Sequence, residues 1–377
     1  LLQNCQAIEF DGVDVAFTGG NGIQIGSGVS NVTIESSRVF QTGGEGISMG
    51  TDATDAANVL VNNTVVRDTA LTILGQPAAI RLRGARDIHV SYCDVSRNPY
   101  GAILAGWQTG VPTPQPADTE PIFTIRNNRV HDFGMGILSD FAGIYLSSNN
   151  NLCFKDGAGT CSLPSLVSQN VISGSRSYNY GGEGVYMDEQ VSSVHIRQNL
   201  MYDLAAEGIY FHCGSNNTAE DNVLAFLGQG AHAAQSHEGI IGGCNSGGNP
   251  TWPAIPHGFD YRRNIHLLAA RPNMSTPHAA VLTDHDYRDA SFDHNIYWSP
   301  DADARSAFIF ANKTTWAEWQ AAGEDVHSQI VDPMFEDPAA SKFGLASNSP
   351  AHAMGISPIN QAAAGVHGGP FAAFARS

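Results

Sequence analysis

Two adjacent carboxylates, Asp188 and Glu189, end the stretch GVYMDEQ, which otherwise alternates like a short buried strand. A third, Asp140, lies just before the similar stretch GIYLSS. Carboxylates held close together shift each other's pKa, so that one can stay protonated while another stays ionised. Cleavage of a glycosidic bond uses such a pair, with an acid for the leaving oxygen and a nucleophile or base opposite. The sequence therefore predicts Asp140, Asp188 and Glu189 as catalytic residues.

Aromatic and polar side chains accompany these acids. Three stretches align on their first glycine as GIYLS, GVYMD and GIYFH. Side chains alternate between the two faces of a strand, so the apolar first and third residues after each glycine point inward. The second and fourth residues then point outward; they are Tyr145, Tyr186, Tyr210, Ser147, Asp188 and His212. We predict that the tyrosines and His212 bind a sugar, with structural stacking of the tyrosines as the alternative.

Two further stretches carry polar residues suited to a site. His237 and Glu238, in QSHEGI, follow the His212 stretch, and a loop over the same face would add them to the substrate-binding residues. The stretch TDHDY, with Asp284 to Tyr287, clusters oxygen ligands of the kind that Ca²⁺ prefers. It lacks EF-hand spacing and also suits a surface turn. We therefore predict no cofactor and no metal ligand set, with Ca²⁺ as a weakly supported exception.

A repeated theme must position these residues. Stretches such as GIQIG, GISMG and GAILAG alternate with a second theme, as in NVTIESSRV and NVLVNNTVV. A repeat of about 20–50 residues with several short strands in each unit predicts a solenoid. Gly and Asn at the corners, and the lack of a long helical pattern, make it a β-solenoid. The corner asparagines are expected to stack on one another in successive coils as a structural feature.

The pattern changes after SFDHNIYWSP, so we divide the chain at residue 300. Residues 1–300 are predicted to form the parallel β-helix, and residues 301–377 a C-terminal helix and capping segment packed on the same solenoid. TTWAEWQAAG predicts a short helix with a Thr N-cap. Trp316 and Trp319 are expected to clamp this helix on the solenoid, with sugar binding as the alternative. VDPMFEDP and FGLASNSPA are predicted to close the open end, which otherwise exposes core and strand edge.

Composition excludes some partners. The chain has 377 residues, and Lys plus Arg total 19 against 36 for Asp plus Glu, which gives a net charge of −17. This acidity argues against non-specific binding to nucleic acid or anionic membrane, and it would repel polyanionic substrates. No apolar run reaches about 18 residues, so no membrane span is predicted.

Cysteines and glycosylation motifs favour an extracellular, secreted protein. Cys153 with Cys161 and Cys213 with Cys244 flank loops, so we predict two disulfide staples, with free thiols as the alternative. Cys5 and Cys93 stand in strand-like contexts and are expected to be free and buried. Asn-x-Ser/Thr motifs occur at Asn31, Asn62, Asn216, Asn273 and Asn312. The strand-like opening LLQNCQAIEF predicts a processed N-terminus with structure upstream.

Stretches spread over nearly the whole chain resemble a known group. They are DVAFTGGNGIQIG, NNRVHDFGMGILSDFAGIYL, GGEGVYMDEQVSSVHIRQNLMYDLAAEGIYFHCGSNNTAEDNVLAF, FDHNIYW and WAEWQAAGEDVHSQIVDPMFEDP. With these the chain resembles the right-handed parallel β-helix proteins of the pectin-lyase-like group, and more closely the branch containing glycoside hydrolase family 141. Members of that family act on plant and algal cell-wall glycans. The resemblance implies an all-β, right-handed parallel β-helix (a single-stranded β-solenoid) and a hydrolase site at Asp140 and Asp188.

Three functions fit the sequence. The leading one is a secreted glycoside hydrolase acting on a cell-wall or matrix polysaccharide. A polysaccharide lyase is less favoured, because that chemistry uses a Lys, Arg or Tyr base and a cation for the uronate, and the chain has three lysines. The third is a non-catalytic structural or adhesion module with protein partners in an extracellular assembly. Two departures from the family pattern fit the third: Cys213 follows His212 where an aromatic residue is usual, and QSHEGIIGG replaces an Arg-rich stretch.

Overall fold

The computed structural model describes residues 1–49, 57–83, 86–106, 122–147, 153–155, 161–188, 191–212, 214–228, 240–242, 258–268, 290–301, 308–310 and 314–375. Through these residues the chain winds into a solenoid whose coils contribute strands to three parallel sheets in turn. The prediction of an all-β parallel helix is confirmed.

The strands of each sheet follow one another along the solenoid axis. Sheet 1 contains β1 (Gln6–Asp11), β4 (Ser30–Glu35), β7 (Ala57–Asn62), β10 (Arg86–Ser91), β13 (Phe123–Arg126), β17 (Cys161–Ser168), β20 (Val194–Arg197), β23 (Asn217–Glu220), β26 (Phe259–Arg262) and β28 (Ser291–Asp293), with β16 (Cys153–Lys155) antiparallel to β17. Sheet 2 contains β2 (Asp14–Thr18), β5 (Arg38–Thr42), β8 (Val65–Arg67), β11 (Asp94–Ser96), β14 (Arg129–His131), β18 (Val171–Ser173), β21 (Leu200–Tyr202), β24 (Val223–Ala225), β27 (Ile265–Leu267), β29 (Ile296–Trp298) and β30 (Gln329–Ile330).

Sheet 3 is shorter than the other two and carries the candidate residues. It contains β3 (Ile23–Ile25), β6 (Ile47–Met49), β9 (Ile80–Arg83), β12 (Ile103–Gly106), β15 (Ala142–Ser147), β19 (Glu183–Asp188), β22 (Ile209–Phe211) and β25 (Ile240–Gly242). The C-terminal region adds the helices α1 (Trp316–Ala321), α2 (Pro350–Ala353) and α3 (Ala372–Ala375), the antiparallel hairpin β31 (Phe335–Asp337) and β32 (Lys342–Leu345), and 3₁₀ turns at Pro338–Ala340 and Gln361–Ala363.

Glycines recur before the sheet 3 strands because the core has no room there for a side chain. At Gly22 an added Cβ would lie 2.5 Å from Val39 Cγ1 and 2.6 Å from the carbonyl oxygen of Gly46. Real Cβ atoms do not approach so closely, and a packed interior cannot relax enough to make room. The glycine theme of the sequence is therefore a packing requirement where sheet 3 meets sheet 2.

Gly22→Ala is expected to lower the free energy of unfolding by about 1–3 kcal/mol, because the added methyl overpacks this corner. Denaturant unfolding monitored by circular dichroism checks the change. Gly20→Ala is the matched control two residues away, since a Cβ at Gly20 would meet nothing within 4 Å. Equal losses in the two variants would contradict the packing explanation.

Asparagines at the corner between sheets 1 and 2 form a buried ladder. Its rungs are Asn128, Asn170, Asn199, Asn222, Asn264 and Asn295. The Nδ2 of each donates to the Oδ1 of the next, at distances from 2.9 to 3.4 Å. Each Nδ2 also donates to a backbone carbonyl of the solenoid. The ladder confirms the structural role predicted for the corner asparagines and satisfies polar groups that burial would otherwise leave unpaired.

Helix α1 packs against the last coils, as the sequence predicts. The Thr315 hydroxyl accepts from the backbone N–H of Glu318 and completes a capping box. Trp319 is buried, its indole Nε1 donates to Asp325 Oδ2 at 2.8 Å, and its ring stacks on Phe310. Trp316 packs edge-on against Tyr297. The two tryptophans therefore hold the helix on the solenoid.

Beyond β30 the C-terminal segment packs along the side of the solenoid, on the outer face of sheet 2; that it also closes the open end stays a prediction. Phe343 of β32 packs against Tyr202 at a ring separation of 5.3 Å. Much further along, the Phe374 ring lies 3.4 Å from the Arg67 guanidinium, which belongs to an early coil. The cause is an apolar outer face on sheet 2 that needs cover from water; it is formed by Val171, Leu200, Val223, Ala225, Ile265, Leu267 and Ile296.

Cys5 and Cys93 are free, as predicted. Cys93 is buried, which raises the pKa of its thiol to about 12, whereas Cys5 is only half-buried and lies just before β1. Cys153 and Cys161 lie in the paired strands β16 and β17, but their side chains lie outside the description, as do Cys213 and Cys244. Both disulfides therefore stay predictions. Among the described helices, none is long and apolar enough to cross a membrane.

Candidate functional site

The predicted register of the site strands is confirmed. In sheet 3, Tyr145 of β15 pairs with Tyr186 of β19, which pairs with Tyr210 of β22. Their rings stack at centroid separations of 4.6 and 4.7 Å. These three residues are called the tyrosine ladder below. Ser147 pairs with Asp188, so the outward residues two positions further on lie beside the ladder.

Asp188 is held by two donors on neighbouring coils. The Tyr145 hydroxyl donates to Asp188 Oδ2 at 2.7 Å, and His212 Nδ1 lies 2.5 Å from Asp188 Oδ1. The side chain of Asp188 is 13% exposed and that of His212 is 25% exposed. Hydrogen bonds to a charged carboxylate favour its ionised form. The arrangement therefore presents a fixed carboxylate beside an imidazole that it orients, at a place that solvent still reaches.

The tyrosine ladder is more buried than an open binding face would be. Tyr145 and Tyr186 are buried and Tyr210 is half-buried. Burial first, and then the charge of Asp188, raise the pKa of Tyr145 and of Tyr186 above the usual tyrosine value. Both phenols therefore stay protonated and act as hydrogen-bond donors, not as bases.

Asp140 lies near Tyr145 and Asp188. Its backbone is left-handed, with φ of 62°, and its N–H donates to the Tyr180 carbonyl at 3.0 Å. The Tyr180 hydroxyl hydrogen-bonds to the Asp140 carboxylate. After burial and Asp188, the charge of Asp140 also raises the pKa of Tyr145, so both carboxylates lie near one phenol. Asp140 and Asp188 therefore both lie close to Tyr145 of sheet 3.

Tyr178 and Tyr180 form an exposed aromatic edge that the sequence reading missed. The Tyr178 N–H donates to the Leu138 carbonyl at 2.8 Å, which ties this turn to the segment that carries Asp140. The signal available was SYNYGG, two tyrosines just before the β19 glycines. Turn residues follow no strand periodicity, so alternation could not assign them to this face.

A buried acid pair, Glu183 and Glu207, was also missed. The two occupy equivalent positions on β19 and just before β22, because Val185 pairs with Ile209. Both are buried. Burial, followed by the charge of Glu207, raises the pKa of Glu183 well above its usual value, and Asp140 and Asp188 add to this. The Oε2 atom of Glu183 has no hydrogen-bond partner. The Glu183 carboxyl group therefore keeps its proton to a higher pH than an exposed glutamate does.

Glu183→Gln is expected to make thermal stability less dependent on pH. In the unfolded chain Glu183 ionises near its usual pKa of about 4.3, whereas in the folded chain its pKa is raised. The contribution of Glu183 to the free energy of unfolding is therefore full below about pH 4.3, and it is lost as the pH rises to the folded pKa. Glutamine cannot ionise, so the melting temperature of the variant should exceed that of wild type increasingly from pH 5 to pH 8.

The matched control for this prediction is Glu9→Gln, which changes an exposed glutamate in β1. Thermal scans followed by circular dichroism across the pH series check both variants. The explanation is wrong if Glu183→Gln and wild type lose melting temperature in parallel as the pH rises.

Several predicted residues lie outside the described part of the chain. They are Glu189, His237, Glu238, and the stretch Asp284 to Tyr287 considered for Ca²⁺. Their roles therefore stay predictions. Tyr145, Tyr186, Tyr210, His212, Asp140 and Asp188 are described and lie near one another, which is the grouping that the sequence predicts.

Comparison with known families agrees with this architecture. The family profile described as "Right handed beta helix region" matches residues 1–160 and 116–251. The chain belongs to the right-handed β-helix family. The handedness implied by the resemblance is thereby confirmed, whereas membership of glycoside hydrolase family 141 stays a prediction. A search among curated proteins gave no match.

Several solved structures resemble this chain at low sequence identity. An alginate lyase complex is 10% identical over 97% of this chain and 90% of its own, with a TM-score of 0.51. A PL6 alginate lyase complex with a trisaccharide is 11% identical over 96% and 89%, with a TM-score of 0.52. A structure named glycoside hydrolase is 18% identical over 59% of this chain, with a TM-score of 0.44, and the match spans 37% of its length. At these identities the likeness concerns the fold.

Proposed function

We propose that this right-handed β-helix protein is a secreted glycoside hydrolase that cleaves a polysaccharide at the face of sheet 3. The observation that carries the proposal is the clamping of Asp188 between the Tyr145 hydroxyl and His212 Nδ1. Hydrogen bonds from two donors favour the ionised form of a carboxylate and hold it in one orientation. Those are the properties of the nucleophile or base of a glycosidase.

The second carboxyl group of the pair is Asp140. Asp140 accepts a hydrogen bond from the Tyr180 hydroxyl, and it lies near other carboxyl groups, whose negative charges favour its protonated form. In this proposal the protonated Asp140 gives its proton to the leaving glycosidic oxygen as the C–O bond breaks. Asp188 attacks the anomeric carbon or takes a proton from the attacking water, and the net change is addition of one water across the bond.

The exposed rings of Tyr178 and Tyr180 suit the apolar faces of sugar rings, and the Tyr180 hydroxyl bonds to Asp140. The net charge of −17 and the acids of the site favour a neutral or weakly charged glycan over a polyanion. We therefore expect a cell-wall or matrix polysaccharide with few carboxylate or sulfate groups as the substrate.

A polysaccharide lyase is the second candidate, because two alginate lyases share this fold over nearly the whole chain. In elimination a base removes the proton next to a uronate carboxyl group. The raised pKa of Tyr145 makes that phenol a poor base, which leaves His212, oriented by Asp188, as the base in this alternative. A non-catalytic module of an extracellular assembly is the third possibility, and it predicts no bond cleavage.

A polysaccharide screen distinguishes these functions. The purified protein is incubated with neutral and uronate-containing plant and algal polysaccharides, and reducing ends and ultraviolet absorbance are followed together. A hydrolase releases reducing ends without absorbance, whereas a lyase releases both because its product contains a new C=C bond. New reducing ends without absorbance support the proposal. Absorbance that rises with them favours the lyase, and no release from any polymer favours the structural module.

A further inference from the structure

Asp293, His294 and His327 form a cluster of nitrogen and oxygen donors far along the chain from the candidate active site. Asp293 ends β28, and His294 follows it in the turn before β29. His327 lies two residues before β30, in the segment that follows α1. Each offers one metal-binding atom, and these atoms all lie within 4.8 Å of one another. The cluster therefore joins the last full coil to the segment between α1 and β30.

The spacing of the donor atoms suits a metal ion. His327 Nδ1 lies 2.8 Å from Asp293 Oδ2, and His294 Nδ1 lies 3.0 Å from the same oxygen. Zinc bonds of about 2.0–2.1 Å to imidazole and carboxylate place neighbouring ligand atoms about 2.9–3.4 Å apart. The two imidazole rings stack at 5.0 Å, and the Nδ1 atom of each faces Asp293 Oδ2. An ion could therefore enter with small side-chain movements.

The surroundings of the cluster also favour a cation. The backbone N–H of His327 donates to Asp293 Oδ1 at 2.8 Å, which fixes the carboxylate with Oδ2 towards the imidazoles. Burial raises the pKa of Glu324, and the charges of Asp325 and Asp293 add to this, so a second acid lies near the cluster. The side chains of Asp293, His294 and His327 are 36%, 46% and 65% exposed. Water can thus reach the site and complete the coordination.

We propose that Asp293, His294 and His327 bind a late first-row divalent cation such as Zn²⁺, which fastens the segment between α1 and β30 to the last coil. Two imidazoles and one carboxylate are the donor set that such ions prefer, and Ca²⁺ or Mg²⁺ would prefer oxygen ligands alone. The ion would bridge chain segments more than 30 residues apart, as the contact of His327 with Asp293 already does. Binding to the folded state alone would stabilise the C-terminal end.

The test measures Zn²⁺ binding and thermal stability on full-length protein stripped with a chelator. Calorimetric titration of wild type with Zn²⁺ should reveal one site that is weakened at least about tenfold in His327→Ala and in His294→Asn. Asparagine is chosen at position 294 because the backbone there is left-handed, with φ of 59°, which asparagine tolerates. Zn²⁺ should also raise the melting temperature of wild type and leave both variants unchanged.

His352→Ala is the matched control, because His352 is an exposed histidine of α2 outside the cluster and bonds the Ala346 carbonyl. It should keep the wild-type Zn²⁺ affinity and the wild-type rise in melting temperature. Equal Zn²⁺ binding by wild type and the two cluster variants would overturn the proposal. A wild-type melting temperature that Zn²⁺ does not change would overturn it as well.

Discussion

Asp188→Asn is expected to lower kcat on the polysaccharide that the wild type cleaves by about 10²–10⁴-fold. Asparagine keeps the size of the side chain and can still pair with the Tyr145 hydroxyl and His212, which contact Asp188 at 2.7 and 2.5 Å. It carries no charge, so it can neither attack an anomeric carbon nor accept a proton from water. The fold should persist, because only a hydrogen-bond partner changes. Initial rates of reducing-end release, measured on protein with a wild-type circular dichroism spectrum, check the loss.

Asp260→Asn is the matched control for this loss. Asp260 is an exposed strand aspartate in β26 of sheet 1, and its Oδ1 accepts a hydrogen bond from the Ser291 hydroxyl at 2.7 Å. It has the same chemistry on a face without the tyrosine ladder, so its variant should keep the wild-type rate. Full activity in Asp188→Asn would remove this carboxylate from the mechanism, and equal losses in the two variants would point to a general effect of charge.

Asn199→Ala is expected to lower the free energy of unfolding by about 3–5 kcal/mol, one of the largest losses from a single change in this chain. Asn199 Nδ2 donates to the Val167 carbonyl at 3.0 Å and to Asn222 Oδ1 at 3.0 Å. Asn199 Oδ1 accepts from both the backbone N–H and the Nδ2 of Asn170. Alanine leaves these buried partners unpaired, at about 1–3 kcal/mol for each unsatisfied group, and it also leaves a cavity.

Denaturant unfolding of wild type and variant checks this loss through the shift in midpoint at an unchanged slope. Asn360→Ala is the control, because Asn360 is exposed and its side chain makes no cap hydrogen bond. Its midpoint should stay within the range of ordinary surface changes, about ±0.5 kcal/mol. A ladder variant that is as stable as the Asn360 variant would show that the buried amides contribute little.

The sequence predicted the site where strand alternation could be followed. The glycines at 143, 184 and 208 set a common register, and the apolar residues after them fixed which face was buried. From that register alone, Tyr145, Tyr186 and Tyr210 had to stack, and His212 had to lie beside Asp188. Parallel pairing allows one register for such short strands, because a slip by one residue would bury Asp188 and expose Met187.

The parts that could not be predicted lie where periodicity stops. Tyr180 and Asp140 belong to turns of unequal length, and the contact between them depends on how two turns fold over each other. Glu183 precedes the glycine of its strand, a position that the alternation rule does not assign. The path of the C-terminal segment followed from apolar residues on the outer face of sheet 2, which look in sequence like core residues.

The measurement that tests the central claim most directly is the mass of the oligosaccharides released by the wild type. Hydrolysis adds one water at each cleavage, so every product should have the mass of a saturated oligosaccharide, and the Asp188→Asn protein should release almost none. Products lighter by one water molecule would show elimination and contradict the hydrolase assignment. Saturated products released equally by wild type and Asp188→Asn would place the catalytic group elsewhere in the chain.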